Sequence, residues 1–181
     1  MSGLTFDAGF RVFYRARARG AGLDGARGRM RKLIMAVVTV GGAGYAPVAP
    51  GTVGTLVAVP LFPVLDALRT ATPLGAVVAL AGLGALAVWA AGAAGPILGE
   101  VDSSHIVVDE VVGYLVAAAF LDFSWWNAAL AFCLFRLFDI VKPFPASWVE
   151  RRLGGGLGVV GDDVVAGIFA GIVARILLAQ L

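Results

Sequence analysis

The chain has 181 residues, 60% of them hydrophobic and only 14% charged, with a mean hydropathy of +0.91. That balance excludes an ordinary water-soluble domain, while the length fits one domain around a single core. The net charge of +2 conceals an asymmetry: residues 1–32 hold eight of the fourteen Lys and Arg, and residues 100–163 hold nine of the twelve acids.

Residues 1–32 read as a basic amphipathic segment, with Phe10, Phe13 and Tyr14 on one side and Arg11, Arg15 and Arg17 nearby. Such a segment suits an anionic membrane surface, where each basic residue is worth about 1 kcal/mol. The plainer reading is a basic tail that only orients the protein. Charges continue to Lys32 with no apolar core before them, so a signal peptide is not expected. No nucleic-acid partner is expected either.

Residues 33–181 are expected to form the membrane domain, an all-α multi-pass helical bundle. Leu33–Val40 is apolar but too short to span, and the glycines and prolines of residues 41–52 read as a loop. Helices are predicted over 53–69, 73–95, 106–121, 125–141 and 163–180, about five that span or partly span. Pro73–Gly99 carries no charge over 27 residues, more than the roughly 20 needed to cross a bilayer. Trp125 and Trp126, beside Asp122, suit interfacial anchors at a hairpin turn. Cys133, the single cysteine, sits among apolar residues and reads as packing.

Helix parity places the charged groups at one face. With the N-terminus and the 41–52 loop inside, the acids at 109 and 110 start a helix on the inner side, and Arg136 and Asp139 return to it. Residues 142–162 are then expected to form an inner loop, with Asp162 and Asp163 opening the last helix. The positive-inside rule makes that face cytoplasmic. Arg69, Asp122 and Arg175 fall toward the other end and read as turn or snorkelling residues.

Arg136, Asp139 and Lys142 lie three residues apart, on one helical face. Ionised groups at membrane depth are costly and usually functional. Asp109, Glu110, Asp139, Asp162 and Asp163 supply hard oxygen ligands, a set that favours Mg²⁺ shared with a substrate phosphate. Arg136 and Lys142 supply a planar fork and a point charge for phosphate. The loop at 41–52 offers backbone N–H groups and Thr52 ahead of a helix start, an anion site without a Walker sequence.

Several phosphatase chemistries are excluded. Cys133 is followed by Leu134, Phe135 and Arg136, so there is no cysteine cradle with an arginine six positions on. His105 is the sole histidine and cannot supply a two-histidine mechanism; it reads as a polar residue at a helix start. No Asp-x-Asp pair is present, which removes the haloacid-dehalogenase route. Metal-assisted attack by water remains. A cation carrier or channel using the same acids is the chief alternative, but it would place acids at several depths.

Four stretches, in this order, resemble the phosphatidylglycerophosphatase A family: Gly42 to Thr55 (GAGYAPVAPGTVGT), Ile106 to Gly113 (IVVDEVVG), Phe135 to Pro145 (FRLFDIVKPFP) and Gly155 to Gly167 (GGLGVVGDDVVAG). Val108 stands where some members carry Trp, and Thr55 where many carry Ser. The resemblance implies an Mg²⁺-dependent enzyme of the bacterial inner membrane that converts phosphatidylglycerophosphate to phosphatidylglycerol. On that reading Asp109, Glu110, Asp139, Asp162 and Asp163 bind Mg²⁺ and activate water. Arg136 and Lys142 hold the phosphate, helped by Gly44, Thr52 and Thr55 of the glycine loop.

Overall fold

Breakers and caps in the sequence set the helix ends in the computed structural model, which describes residues 27–100 and 103–180. Residues 27–38 are helical (α1). A left-handed turn at Val40, Gly41 and Gly42 leads through a helical turn at Ala43–Tyr45 to α2 (Pro50–Ala58). Proline opens α2 where its missing N–H has no helical partner to lose. A single 3-10 turn joins α2 to α3 (Phe62–Ala71). Thr72 caps α4 (Pro73–Leu98), its hydroxyl accepting the Gly75 N–H at 2.9 Å. Then follow α5 (Val108–Ala118), α6 (Trp125–Val141), α7 (Ala146–Leu153) and α8 (Gly155–Leu178). Among the described residues there is no strand, as the all-α expectation requires.

Among the described residues, three helical runs are long and apolar enough to cross a bilayer: Pro50–Ala71, α4 and α8. With 11 and 17 residues, α5 and α6 fall short of the roughly 20 that a span needs. At about 1.5 Å per residue, α5 reaches only about half of a ~30 Å hydrocarbon core. It is tolerated because nine of its eleven residues are buried, enclosed by α2, α4, α6 and α8.

The central helix is α8: 56% of its apolar window is buried, against 28% for Pro50–Ala71 and 22% for α4. It packs on α4, α5, α6 and α7. Glycines let α5 and α8 cross at backbone contact. A Cβ at Gly113 would stand 2.7 Å from the Asp163 carbonyl oxygen, and one at Gly167 would land on the Gly113 carbonyl. Membrane helices, lacking a hydrophobic drive to associate, gain most from such close van der Waals packing. Phe62, Tyr114 and Phe135 fill the core beside this crossing.

Two expectations are corrected. The last helix opens at Gly155, not at residue 163, so Asp162 and Asp163 lie two turns inside it. Glycines that read as a loop are helical here because Gly156 packs its backbone against Val88 and Gly92 of α4. The expected inner loop over 142–162 instead contains α7, whose Val149 and Leu153 pack at Gly161. Residues Ile34–Leu181 form one compact unit. Of the basic segment 1–32, only residues 27–32 are described, as helix; its amphipathic face otherwise lies outside the described residues.

The far end of the bundle is tied by a polar clasp. Arg69 reaches Asp66 at 2.6 Å and Asp122 at 2.5 Å, while Asp66 Oδ2 accepts the Phe123 N–H at 3.1 Å. Arg175 donates to the Phe120 carbonyl at 3.3 Å. These residues, expected to be turn or snorkelling groups, join α3 and α8 to the α5–α6 connection. Trp125 and Trp126 stand exposed beside them, a placement that suits an interfacial belt.

The α5–α8 crossing yields a stability test. Gly167→Val overpacks it and is expected to cost about 1–3 kcal/mol, read as a lower melting temperature in detergent. Gly82→Val on α4, where a Cβ meets nothing within 4 Å, is the matched control and is expected to be near neutral. Equal melting temperatures for the two variants would mean the close crossing is not what holds α5 to α8.

Candidate active site

Five acids and two cations come from three helices: the first turn of α5, the C-terminal turns of α6 and its cap, and a point two turns inside α8. Asp109 and Glu110 occupy the first turn of α5, where the positive end of the helix dipole favours carboxylates. Asp163 faces them from α8, buried to 4% exposure, with Asp109 at 7%. Oxygens of Asp109, Glu110 and Asp163 all lie within 4.8 Å of one another.

The other two acids are placed differently. Arg136 Nη1 lies 2.8 Å from Asp139 Oδ2, one turn along α6, and 3.8 Å from Glu110 Oε1. Lys142 Nζ lies 2.7 Å from Asp162 Oδ2 across the α6–α8 boundary. Lys142 caps α6 in the left-handed region, at φ 45°, a conformation that costs energy in a residue with a Cβ. The helix thus ends with its cation turned toward α8.

Arg136 lies closest to Asp139, and Lys142 pairs with Asp162. Beside them Asp109 Oδ1, Glu110 Oε2 and Asp163 Oδ2 are buried without a hydrogen-bond partner. Like charges this close in a low-dielectric interior call for a counter-charge. Three hard oxygen donors, orphaned and converging, fit a small divalent cation such as Mg²⁺. Soft or imidazole ligands are absent from this cluster.

The glycine loop approaches this cluster at Gly51. A Cβ there would land on Glu110 Oε1 and stand 3.2 Å from Arg136 Nη1. A glycine in the first turn of a helix costs about 1 kcal/mol relative to alanine, and here the close approach explains it. Gly51 was not singled out by sequence reasoning; the Pro50-Gly51 pair opening an apolar helix is the signal that marks it.

The turn before α2 spends its own donors. The N–H groups of Gly41 through Ala46 all donate to carbonyls within residues 36–43. Gly44 is buried against the His105 backbone. Thr55 is wholly buried and its hydroxyl donates to the Gly51 carbonyl at 2.9 Å. Thr52 is half-buried in the first turn of α2, where helical N–H groups have no partner of their own. The N-terminus of α2 is therefore the part of the loop that presents donors beside Arg136.

A family model described as Phosphatidylglycerophosphatase A matches residues 36–178. A Haemophilus influenzae protein named Phosphatidylglycerophosphatase A is 47% identical over 77 residues, which is 42% of this chain and 47% of that one. An Escherichia coli protein of the same name is 36% identical over 74 residues, 40% of this chain and 43% of the relative. The chain thus spans a little under half the length of the curated relatives it matches. No solved structure matches it. The family match runs from α1 to the end of α8 and takes in all five acids and both cations, so the chain belongs to the phosphatidylglycerophosphatase A family.

Proposed function

We propose that this protein removes the terminal phosphate of phosphatidylglycerophosphate, giving phosphatidylglycerol and inorganic phosphate, with Mg²⁺ held by Asp109, Glu110 and Asp163. The observation that carries this reading is the orphaned carboxylate trio beside Arg136 and the α2 N-terminus, in a chain of this family. A dianionic phosphomonoester meets positive groups there on three sides. The chemistry that Mg²⁺ supplies when bound is polarisation of a phosphoryl oxygen and acidification of a water.

The chain's own groups divide the remaining work. Arg136, held by Asp139, presents its fork to two phosphate oxygens. Lys142, held by Asp162, adds a point charge from the α6 terminus. The N–H groups of Gly51 and Thr52 face the same region from α2. In this reading Gly44 and Thr55 shape the loop that delivers those donors. A carboxylate of the trio accepts the proton of the attacking water as its oxygen bonds to phosphorus. The bond to the glycerol oxygen breaks, its electron pair stays on that oxygen, and the carboxyl group returns the proton it accepted so that the oxygen leaves as the alcohol.

Phosphate release from short-chain phosphatidylglycerophosphate by purified protein, with and without Mg²⁺, tests the activity directly. The expected result is release only with the ion. Metal-dependent cation flux in vesicles without any phosphate release would favour the carrier instead.

Two sets of variants test the division of roles. Asp109→Asn and Asp163→Asn are expected to abolish turnover and weaken Mn²⁺ binding, measured by electron paramagnetic resonance, while melting near the parent temperature. Asp162→Asn should keep Mn²⁺ affinity and raise KM, because it loses only the partner that orients Lys142. Should Asp162→Asn lose Mn²⁺ while Asp163→Asn keeps it, the assignment of the trio is wrong.

Arg136→Lys preserves charge but removes the planar fork, and kcat/KM is expected to fall about 100-fold, as when one transition-state donor is lost. If Arg136 served only to neutralise Asp139, the lysine variant would be close to the parent and Arg136→Ala alone would fail.

We propose the cytoplasmic face of the bacterial inner membrane for the site, a reading that the excess of basic residues in 1–32 supports. The α2–α3 run carries the chain from the site to the Arg69–Asp122 clasp, and α6 returns it. In a Cys133→Ser background, Leu153→Cys on α7 should react with an impermeant thiol reagent only after right-side-out vesicles are opened. Ala71→Cys at the end of α3 should react while they are sealed. The opposite labelling pattern would invert the topology.

A further inference from the structure

The single histidine takes no part in the reaction proposed above, yet its surroundings are unusually well defined. His105 Nδ1 lies 2.9 Å from the Gly44 carbonyl oxygen. A carbonyl only accepts, so Nδ1 carries the proton and donates. The ring stands 5.1 Å from that of Tyr45. Gly44 in turn rests on the His105 backbone, where a Cβ would land on the carbonyl oxygen. Two residues on, the Val107 N–H donates to the Val38 carbonyl at 2.8 Å. Residues 105–107 therefore grip the 39–45 turn at both of its ends.

That turn is well ordered at its start, where the Thr39, Val40 and Gly41 N–H groups donate back to the Met35, Val37 and Ala36 carbonyls of α1, and the N–H groups of residues 42–46 donate to carbonyls within the turn itself. It leads within a few residues to Ala49, in the left-handed region at φ 46°, and then to Gly51 against Glu110 and Arg136. Nothing between Gly44 and Gly51 is buried except Gly44 and Gly51 themselves. The α2 N-terminus is therefore set from two sides, by its own packing of Gly51 on Glu110 and Gly54 on Val107 and by how the preceding turn is held against the segment leading into α5.

We propose that His105 is a positioning residue: by donating to the Gly44 carbonyl it fixes the 39–49 turn, and through it the α2 N-terminus, against Glu110 and Arg136. Its kinetic consequence rests on the reaction proposed above; its structural consequence does not. The carboxylate trio comes from α5 and α8, so the clamp should govern phosphate binding and leave metal binding alone.

The test uses the full-length protein in detergent with three substitutions. His105→Ala removes ring and donor, His105→Phe keeps a ring beside Tyr45 without the donor, and His105→Asn keeps an N–H donor in the place of Nδ1. Amide hydrogen exchange over residues 39–52 and steady-state kinetics are measured on each, with Mn²⁺ affinity as the control. The alanine and phenylalanine variants should exchange faster over 39–52 and show KM raised about tenfold, the weight of one hydrogen bond. Their kcat and Mn²⁺ affinity should change little, and asparagine should restore both exchange and KM.

Unchanged exchange and KM in His105→Ala would overturn the proposal. So would restoration by phenylalanine as complete as by asparagine, since packing alone would then suffice. Faster exchange throughout the molecule, not rescued by asparagine, would make His105 a general structural residue and count equally against it. If exchange responds as expected but the parent protein releases no phosphate, the clamp stands and the phosphatase reading falls.

Discussion

The close crossing of α5 and α8 is the constraint on which the site depends. Gly113 and Gly167 bring the two backbones into contact, and that contact sets Asp163 opposite Asp109 and Glu110. A methyl group at either glycine would force the helices apart by displacing a carbonyl oxygen. The carboxylates would separate with them. Packing in this bundle is therefore also electrostatics: the same contact that gains dispersion energy crowds three carboxyl groups into a dry space. A fold that pays this cost without a counter-ion would be poorly explained, which is the physical sense in which the trio fits a divalent cation.

The ion pairs beside the trio are better understood as aiming devices than as sources of stability. Desolvating two charges cancels much of their attraction, and a buried pair is weak evidence for stability. Removing one partner of a largely buried pair, as Arg136 and Asp139 form, is costly because the other charge loses its closest counter-charge in a poorly solvated place. Asp139 and Asp162 thus matter through what they hold. Each fixes a cation whose side chain would otherwise sample many rotamers, Arg136 within α6 and Lys142 across to α8. In the reaction proposed here, a phosphate arriving between them would meet donors already oriented, so little ordering entropy would be lost on binding.

Much of this was legible in the sequence. Charge is so scarce in the apolar helices that Asp109, Glu110, Arg136, Asp139, Asp162 and Asp163 stand out, and helical spacing puts Arg136 and Asp139 on one face. What could not be read was which acids meet each other. Asp162 and Asp163 are adjacent in the chain but point to different partners, Lys142 and the α5 acids, because successive helical residues diverge by about 100°. The start of α8 was hidden for a related reason. Gly154, Gly155 and Gly156 signal a loop by propensity; Gly154 and Gly155 do take positive φ, and regular helix sets in where Gly156 packs against Val88 and Gly92 of α4. The shortness of α5 was hidden too, since its apolar residues continue past Ala118 into a turn that the clasp at Asp122 holds.

The helix ends meeting at the site share one electrostatic logic. Two N-termini converge there: that of α5, whose first turn carries Asp109 and Glu110, and that of α2, whose Gly51 touches Glu110. Each contributes roughly half a positive charge from unpaired N–H groups, which eases the crowding of carboxylates and favours an entering anion. The helix that ends at the site is α6, and its last turns carry the cations Arg136 and Lys142. Asp109 and Glu110 therefore sit at a positive helix end and Arg136 and Lys142 at a negative one, where Asp139 is paired to Arg136. Because α5 is only 11 residues long and largely enclosed, its N-terminus acts from within the packed bundle, where solvent screens it less than at an exposed helix end. The half-length helix, which looks like a defect in a membrane protein, is what lets the backbone dipoles act at the site.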